Sequence, residues 1–73
     1  MIYTDIKQAI GSTLLDVKEY TYWAYCWDVY IFNTGITVRE LEFVEGEGYR
    51  DSFITEINEQ MPEELKELIK KYQ

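Results

Sequence analysis

A chain of 73 residues with a net charge of −7 makes one small acidic domain. Domains of this size bury only about 60% of their unfolded surface, so they are marginally stable unless a disulfide, a metal or a partner assists them. Cys26 is the single cysteine and histidine is absent, which excludes an internal disulfide and a zinc site built from the usual ligands.

The N-terminal segment predicts a short helix. Thr4 or Asp5 can cap a helix that ends near Ile10, because the apolar side chains between them recur at i, i+3, i+4 spacing. Gly11 stands where a helix commonly ends on a glycine. One longer helix through this region is the second interpretation. We favour a strand from about Thr13, since β-branched and aromatic residues follow.

An aromatic stretch, Tyr20–Phe32, comes next and is expected to dominate the fold. Seven of its thirteen residues are aromatic, and each aromatic side chain can bury about 150–250 Å². Residues 13–33 contain no strong turn signal, yet as one strand they would span roughly 70 Å at about 3.3 Å per residue. A domain of this size has a radius of gyration of only about 11 Å. We therefore place a turn or bend near Tyr22–Tyr25.

The segment Asn33-Thr34-Gly35 is the clearest turn signal, because Asn and Gly tolerate positive φ in short hairpin loops. Residues 36–44 are then predicted to form the returning strand. A helix is the alternative there, since Thr37-Val38-Arg39-Glu40 fits a capping box. Residues 45–48, which alternate Glu and Gly, predict a flexible acidic loop.

The last third of the chain predicts two helices. Asp51 or Ser52 can cap the first helix, whose apolar stripe ends at Met61. Pro62 interrupts this helix and suits the first turn of a second one, where apolar residues keep helical spacing as far as Tyr72.

Together these elements predict a single α+β domain over residues 1–73. It consists of a short N-terminal helix, a meander of about three antiparallel strands, and two C-terminal helices that pack on one sheet face. The core is predicted to include Ile6, Ile10, Leu15, Val17, Trp23, Trp27, Val29, Ile31, Phe43, Ile57, Leu65, Leu68 and Ile69.

Catalysis and metal binding are disfavoured by the residue types present. Without histidine the chain has no Ser-His or Cys-His pair, and Cys26 lies among aromatic residues, where thiols are commonly buried and inert. Asp28 is the best-placed acid–base candidate, but a polar residue in an apolar strand more often marks a bulge or an edge. Glu45, Glu47 and Asp51 lack the spacing of an EF-hand loop. We therefore expect that the protein is not an enzyme and binds no cofactor or metal.

The N-terminus and the apolar runs bear on where the protein works. No run reaches the roughly 18–20 residues of a membrane span. Asp5 and Lys7 interrupt the N-terminus too early for a signal peptide. With one cysteine and no pairing partner for it, we expect a cytoplasmic protein with no membrane association.

The charge is concentrated in one part of the chain. Residues 1–39 hold four acidic and three basic side chains, whereas residues 40–67 hold ten acidic and two basic ones. This balance disfavours direct nucleic-acid binding, which depends on Lys and Arg neutralising phosphates, and it favours a basic partner surface. In size and charge the chain resembles the small acidic DNA-mimic inhibitors encoded by phages, a likeness of composition rather than of motif.

We therefore predict a non-catalytic acidic protein-binding module, an inhibitor that imitates nucleic acid and blocks a basic surface of a partner protein. Two alternatives remain: a structural subunit that forms a homodimer or pairs with a neighbouring chain through the aromatic stretch, and an aromatic platform for single-stranded nucleic acid. The predicted partner-binding residues are Glu40, Glu42, Glu45, Glu47, Asp51, Glu56, Glu59, Tyr22, Tyr25 and Tyr30.

Overall fold

The protein folds as a five-stranded mixed sheet with one C-terminal helix, as described for residues 1–73 by a computed structural model. A short 3₁₀ helix follows the first strand. The elements in chain order are β1 (Ile2–Tyr3), the 3₁₀ helix (Ile6–Ala9), β2 (Leu14–Tyr22), β3 (Tyr25–Phe32), β4 (Gly35–Val44), β5 (Gly48–Ile54) and α1 (Glu63–Tyr72).

Strands β3 and β4 form the middle of the sheet. Strand β2 pairs with β3 on one side, and β1 and β5 lie end to end along the far side of β4. β1 runs parallel to β4 at Ile36 and Thr37, whereas β5 runs antiparallel from Val38 to Val44. Consequently β2 is an edge strand along its whole length.

The prediction of three strands and two C-terminal helices is wrong. Residues 48–54, in which Asp51 and Ser52 suggested a helix cap, form β5 instead and pair with β4 along seven residues. Backbone pairing with a distant strand outweighed the local capping signal, as sheet context commonly does. β1 is only two residues long, too short to show any periodicity. The predicted N-terminal helix is reduced to a four-residue 3₁₀ turn capped by Asp5, whose side chain accepts from Lys7 N.

The predicted hairpin turns, the returning strand and the last helix are confirmed. The aromatic stretch turns between Tyr22 and Tyr25, and the next hairpin turns at Asn33-Thr34. Residues 35–44 are strand rather than helix. The last helix begins directly after Pro62 and has acidic residues in its first turn and lysines in its last, which suits the helix dipole.

The core lies between α1 and one sheet face. Its seven buried side chains come from β3, β4, the loop before α1, and α1 itself: Trp27, Val29, Ile36, Val38, Met61, Leu65 and Ile69. Thus Trp27, Val29, Leu65 and Ile69 were predicted correctly, and the predicted residues Ile31, Ile57 and Leu68 pack partly buried against them. Six predicted core residues are exposed: Ile6, Ile10, Leu15, Val17, Trp23 and Phe43. Three of the exposed ones, Leu15, Val17 and Phe43, lie on the edge strand or on the sheet face that α1 does not cover.

The second sheet face is covered only at one end. There the 3₁₀ helix packs, and Tyr3, Ala9 and Phe32 form a small cluster. Gly35 permits the close approach of the N-terminus, because a Cβ at this position would collide with the carbonyl oxygen of Met1. The rest of this face, termed the open face below, carries Val17, Glu19, Thr21, Cys26, Asp28, Arg39, Leu41, Phe43, Tyr49, Asp51 and Phe53.

Candidate functional site

Trp23 is the most unusual residue of the structure. It occupies the first position of the two-residue loop between β2 and β3, and it is the only non-glycine residue with a positive φ, at 53°. A hairpin loop with positive φ at its first position normally has glycine there. For a bulky side chain this conformation costs on the order of 1–3 kcal/mol.

Packing does not offset that strain. Trp23 is 90% exposed, more than any other large apolar residue of the chain. Its aromatic neighbour is Tyr22, whose ring meets it edge-on with 6.3 Å between centroids, and Tyr22 is itself 48% exposed. The fold therefore holds a tryptophan in water at a position where glycine would be more stable.

Beside Trp23 the open face forms a shallow depression of about 450 Å³. Phe43 and Tyr49 form its opposite wall, with their rings edge-on at 5.5 Å. The backbone brings these residues together, because Phe43 N donates to Ala24 O at 2.9 Å and Phe43 is the register partner of Tyr49. We call Trp23, Phe43 and Tyr49 the aromatic end of the open face.

Further along the open face, a thiol and two carboxylates lie close together. The ligand atoms of Glu19, Cys26 and Asp28 are all within 4.8 Å of one another. Burial raises the pKa of the Cys26 thiol above its usual range, and the negative charges of Asp28 and Glu19 raise it further. Only a thiolate makes a good metal ligand or nucleophile, so the raised pKa works against either use of this cluster.

Two of the predicted acidic contacts lie on the other side of the sheet. Glu40 and Glu42 are the register partners of Trp27 and Tyr25, on the face that α1 covers. Glu40 Oε2 accepts hydrogen bonds from Trp27 Nε1 at 3.1 Å and from Asn58 Nδ2 at 3.0 Å. The carboxylate of Glu40 thus serves the interior of the fold.

The other predicted acids are divided between ion pairs and solvent. Asp51 pairs with Arg39 at 2.6 Å, and Glu47 pairs with Arg50 at 2.7 Å. The remaining predicted acids are exposed and have no cationic partner: Glu45, Glu56 and Glu59. Glu47 and Asp51, which could otherwise offer carboxylate oxygens to a cation, are therefore already paired with arginines.

The predicted tyrosines are not gathered on one surface either. The ring of Tyr25 stacks on that of Trp27, with 5.7 Å between centroids, and packs half-buried against the core beneath α1. Tyr30 packs against the small cluster beneath the 3₁₀ helix. Tyr22 meets Trp23 edge-on and Tyr25 also lines the depression at the aromatic end, whereas Tyr30 does not line it. The ten predicted contact residues therefore do not form a continuous patch.

The residues of the aromatic end were missed by the sequence analysis. Trp23 and Phe43 were assigned to the core, because large apolar side chains usually are buried. The position of the turn was a usable signal for the exposure of Trp23. Residues 22–25 contain no glycine, proline, asparagine or aspartate, so a turn there has to place bulky residues in its loop. A tryptophan in such a turn is exposed by position.

Known proteins give no guide to this surface. No protein-family model, curated protein or solved structure matches the chain significantly. None of its helices combines the length and the apolar character needed to cross a membrane. The surface features available to bind a partner are the aromatic end and the acidic charge of the molecule.

Proposed function

We propose that the protein is a non-catalytic binding module that docks its aromatic end on a basic, partly apolar surface of a partner protein and blocks that surface. The exposed, strained Trp23 is the observation that carries the proposal. Strain of this kind persists mainly at functional sites, where it fixes a side chain for use. Tryptophan is also among the residues that contribute most often to binding hot spots.

The depression next to Trp23 can receive an apolar side chain of the partner. Phe43 and Tyr49 are 50% and 71% exposed, so both rings can lose solvent contact when a partner docks. Burying an aromatic ring removes about 150–250 Å² from water. A rigid hairpin loop also loses little conformational freedom on binding, which favours affinity.

The charge of the molecule selects a cationic partner. Three of the fourteen acidic side chains are in ion pairs, which leaves eleven without a cation within 4.0 Å. Such an excess speeds encounter with a basic surface and repels nucleic-acid phosphates. Basic protein surfaces commonly serve nucleic-acid binding, so occupying one would act as inhibition. The proposal places this interaction in the cytoplasm, where Cys26 stays reduced.

A peptide titration followed by tryptophan fluorescence tests the proposal. The probe is a synthetic peptide that alternates lysine with leucine, compared with its glutamate analogue and with a single-stranded oligonucleotide. We expect the cationic peptide alone to bind. Trp23→Ala and Phe43→Ala should each weaken it by about tenfold or more, as expected for hot-spot side chains.

Ile10→Ala is the matched control, because Ile10 is 85% exposed but belongs to the opposite end of the molecule. This variant should bind the peptide as the unmodified protein does. Tighter binding of the oligonucleotide than of the cationic peptide would overturn the proposal in favour of a single-strand binder. Unchanged affinity in both aromatic variants would remove the aromatic end as the contact.

A further inference from the structure

The unpaired edge of β2 is a second surface that can bind a partner. β2 runs for nine residues and pairs only with β3. Phe43 N donates to Ala24 O, so the even-numbered residues of β3 bond to β4 and its odd-numbered residues bond to β2. Through the β2–β3 register, the even-numbered residues of β2 face β3. Its odd-numbered residues therefore direct their N–H and C=O groups outward.

An independent contact supports this direction. The N–H of Val17 donates to its neighbour's carboxylate, Asp16 Oδ1, at 2.8 Å rather than to β3. Val17 is half-exposed, as is Leu14 at 50%, and Leu15 is 63% exposed. Long edges with unpaired backbone groups and exposed apolar side chains are templates for pairing with another strand.

The side chains of β2 select a second copy of the same strand in one register. In a two-fold antiparallel pair that continues the sheet, residues facing each other have numbers that sum to a constant even value. Pairing centred on Val17 places Asp16 of each copy opposite Lys18 of the other. Centring on Asp16, Lys18 or Glu19 instead places like charges opposite each other, which destabilises a pair, and no other centre in β2 places two charged residues opposite each other.

The other edge, along β5, offers no such pairing of opposite charges. On β5 the only charged residues are Arg50 and Asp51, which are adjacent and so point to opposite faces. No two-fold register can place them opposite each other. Both are also already in ion pairs, with Glu47 and Arg39.

We propose that the protein forms a homodimer by antiparallel pairing of two β2 strands around Val17, with two Asp16–Lys18 ion pairs across the junction. The two Val17 residues exchange backbone hydrogen bonds, and each Asp16 carboxylate leaves Val17 N for the lysine of the other copy. Asp16 and Lys18 occupy positions that do not exchange hydrogen bonds across the new junction, where facing side chains lie closest.

The dimer has a functional consequence for the aromatic end. Trp23 lies six residues beyond Val17, so the two tryptophans stand at opposite ends of the joined strands. Their separation along the strand direction is about 40 Å, at roughly 3.3 Å per residue. Two aromatic ends on one particle would let the dimer bind two sites of a repetitive basic surface with a gain in avidity.

The β-bulge at Leu15 limits the expected affinity of the dimer. The register of β2 against β3 shifts between Leu14 and Asp16, so regular pairing in the dimer is limited to its centre. A junction of this size falls below standard protein interfaces, and the dimer is expected to be reversible and dependent on protein concentration.

Variants with reversed charges at the junction test the inference. Their self-association is measured by sedimentation velocity over a range of protein concentrations. Asp16→Lys and Lys18→Asp each create two like-charge pairs and should each weaken self-association by roughly tenfold or more. An equimolar mixture of the two variants should recover a dimer, because every facing pair is again of opposite charge. Only a register centred on Val17 predicts this recovery.

Glu56→Lys and Lys70→Asp are the controls, because they make the same charge changes at exposed positions away from β2. Both should associate like the unmodified protein, and urea unfolding should confirm that all four variants fold. A protein that stays monomeric at every concentration would overturn the inference. So would β2 variants that dimerise normally, or a mixture that fails to recover. Because peptide binding by a monomer is untouched by these outcomes, the test stands apart from the proposed function.

Discussion

At the scale of single residues, Glu40 shows that an acidic side chain in an acidic protein can serve the fold. Its Oε2 joins β4 to the indole of β3 and to the loop before α1, accepting from Trp27 Nε1 and Asn58 Nδ2. Hydrogen bonds to an ionised acceptor are stronger than neutral ones. Trp27 is fully buried, so its N–H has no water to replace that acceptor.

Replacing Glu40 should therefore destabilise the protein. We expect Glu40→Ala to lower the free energy of unfolding by about 1–3 kcal/mol, because a buried donor is left without an acceptor. Urea unfolding measures this. Glu56→Ala, at an exposed site without partners, should stay within about 0.5 kcal/mol of the parent. Equal effects of the two substitutions would show that the Glu40 contacts contribute nothing.

Cys26 gives a prediction that depends on pH. Burial raises the pKa of its thiol first, and the carboxylates of Asp28 and Glu19 raise it further. A raised pKa leaves less thiolate at a given mildly alkaline pH, so alkylation should be slower than for an unhindered model thiol. Asp28→Asn removes one of the charges, lowers the thiol pKa, and should speed alkylation at fixed pH.

Glu45→Gln provides the comparison for Cys26, since Glu45 is a carboxylate outside the cluster. Its alkylation profile should follow that of the parent protein across the pH range. If Asp28→Asn leaves the profile unmoved as well, the nearby charges do not act on the thiol.

At the scale of elements, α1 holds the core closed. It is the only α-helix, and its fully buried Leu65 and Ile69 cover Trp27 and Val29 on the sheet. Domains of this length have a total stability of only roughly 4–11 kcal/mol, taken at 0.05–0.15 kcal/mol per residue. The loss of one α1 side chain is thus a large fraction of the whole.

We expect Ile69→Ala to lower the free energy of unfolding by about 2–5 kcal/mol, through lost burial and the cavity left behind. Thermal and urea unfolding followed by circular dichroism would measure it. Glu67→Ala changes an exposed residue of the same helix and should have little effect. A mild loss at Ile69 would mean that α1 is not needed to close the core.

The elements that the sequence could reveal are those encoded locally. Asn33 and Gly35 mark a turn in the sequence although neither adopts a positive φ in the structure, and Pro62 fixes the start of α1. β5 could not be found this way, because its residues gain strand structure from pairing with β4 rather than from their own spacing. Ser52 and Phe53 instead matched a helix pattern that the tertiary structure overrides.

The site was hidden for a related reason. Periodicity assigns faces within a strand, but it does not say which face another element covers. One helix covers one face, so Phe43 is exposed although its alternation matches a core strand. Likewise Trp23 counts as core material until the loop position is known. The single helix therefore accounts for the exposure of Phe43, and the loop position accounts for that of Trp23.

At the scale of the whole molecule, the protein is elongated and its acidic residues are spread over its surface. The protein extends over 38 × 24 × 18 Å, with the aromatic end and the 3₁₀ helix at opposite ends of the open face. The acidic residues are distributed over several faces instead of forming one strip. Charge therefore acts as a general field that attracts cations, and the aromatic end supplies the contact.

This division predicts how salt changes the kinetics of peptide binding. Raising the salt concentration should slow association of the lysine–leucine peptide strongly, because screening weakens the attractive field. Dissociation should change much less, since it depends on the buried rings. Stopped-flow measurements of both rates test this. An association rate insensitive to salt would indicate purely apolar docking.

The most direct measurement compares the stability and the peptide affinity of Trp23→Gly. Glycine accepts the positive φ of this position without strain, so the free energy of unfolding should rise by about 1 kcal/mol. Loss of the ring should weaken peptide binding by about tenfold or more. Trp23→Ala keeps the strain and should lose affinity without the gain in stability. If Trp23→Gly binds as tightly as the parent, or unfolds more easily, the tryptophan is not held at the loop for binding.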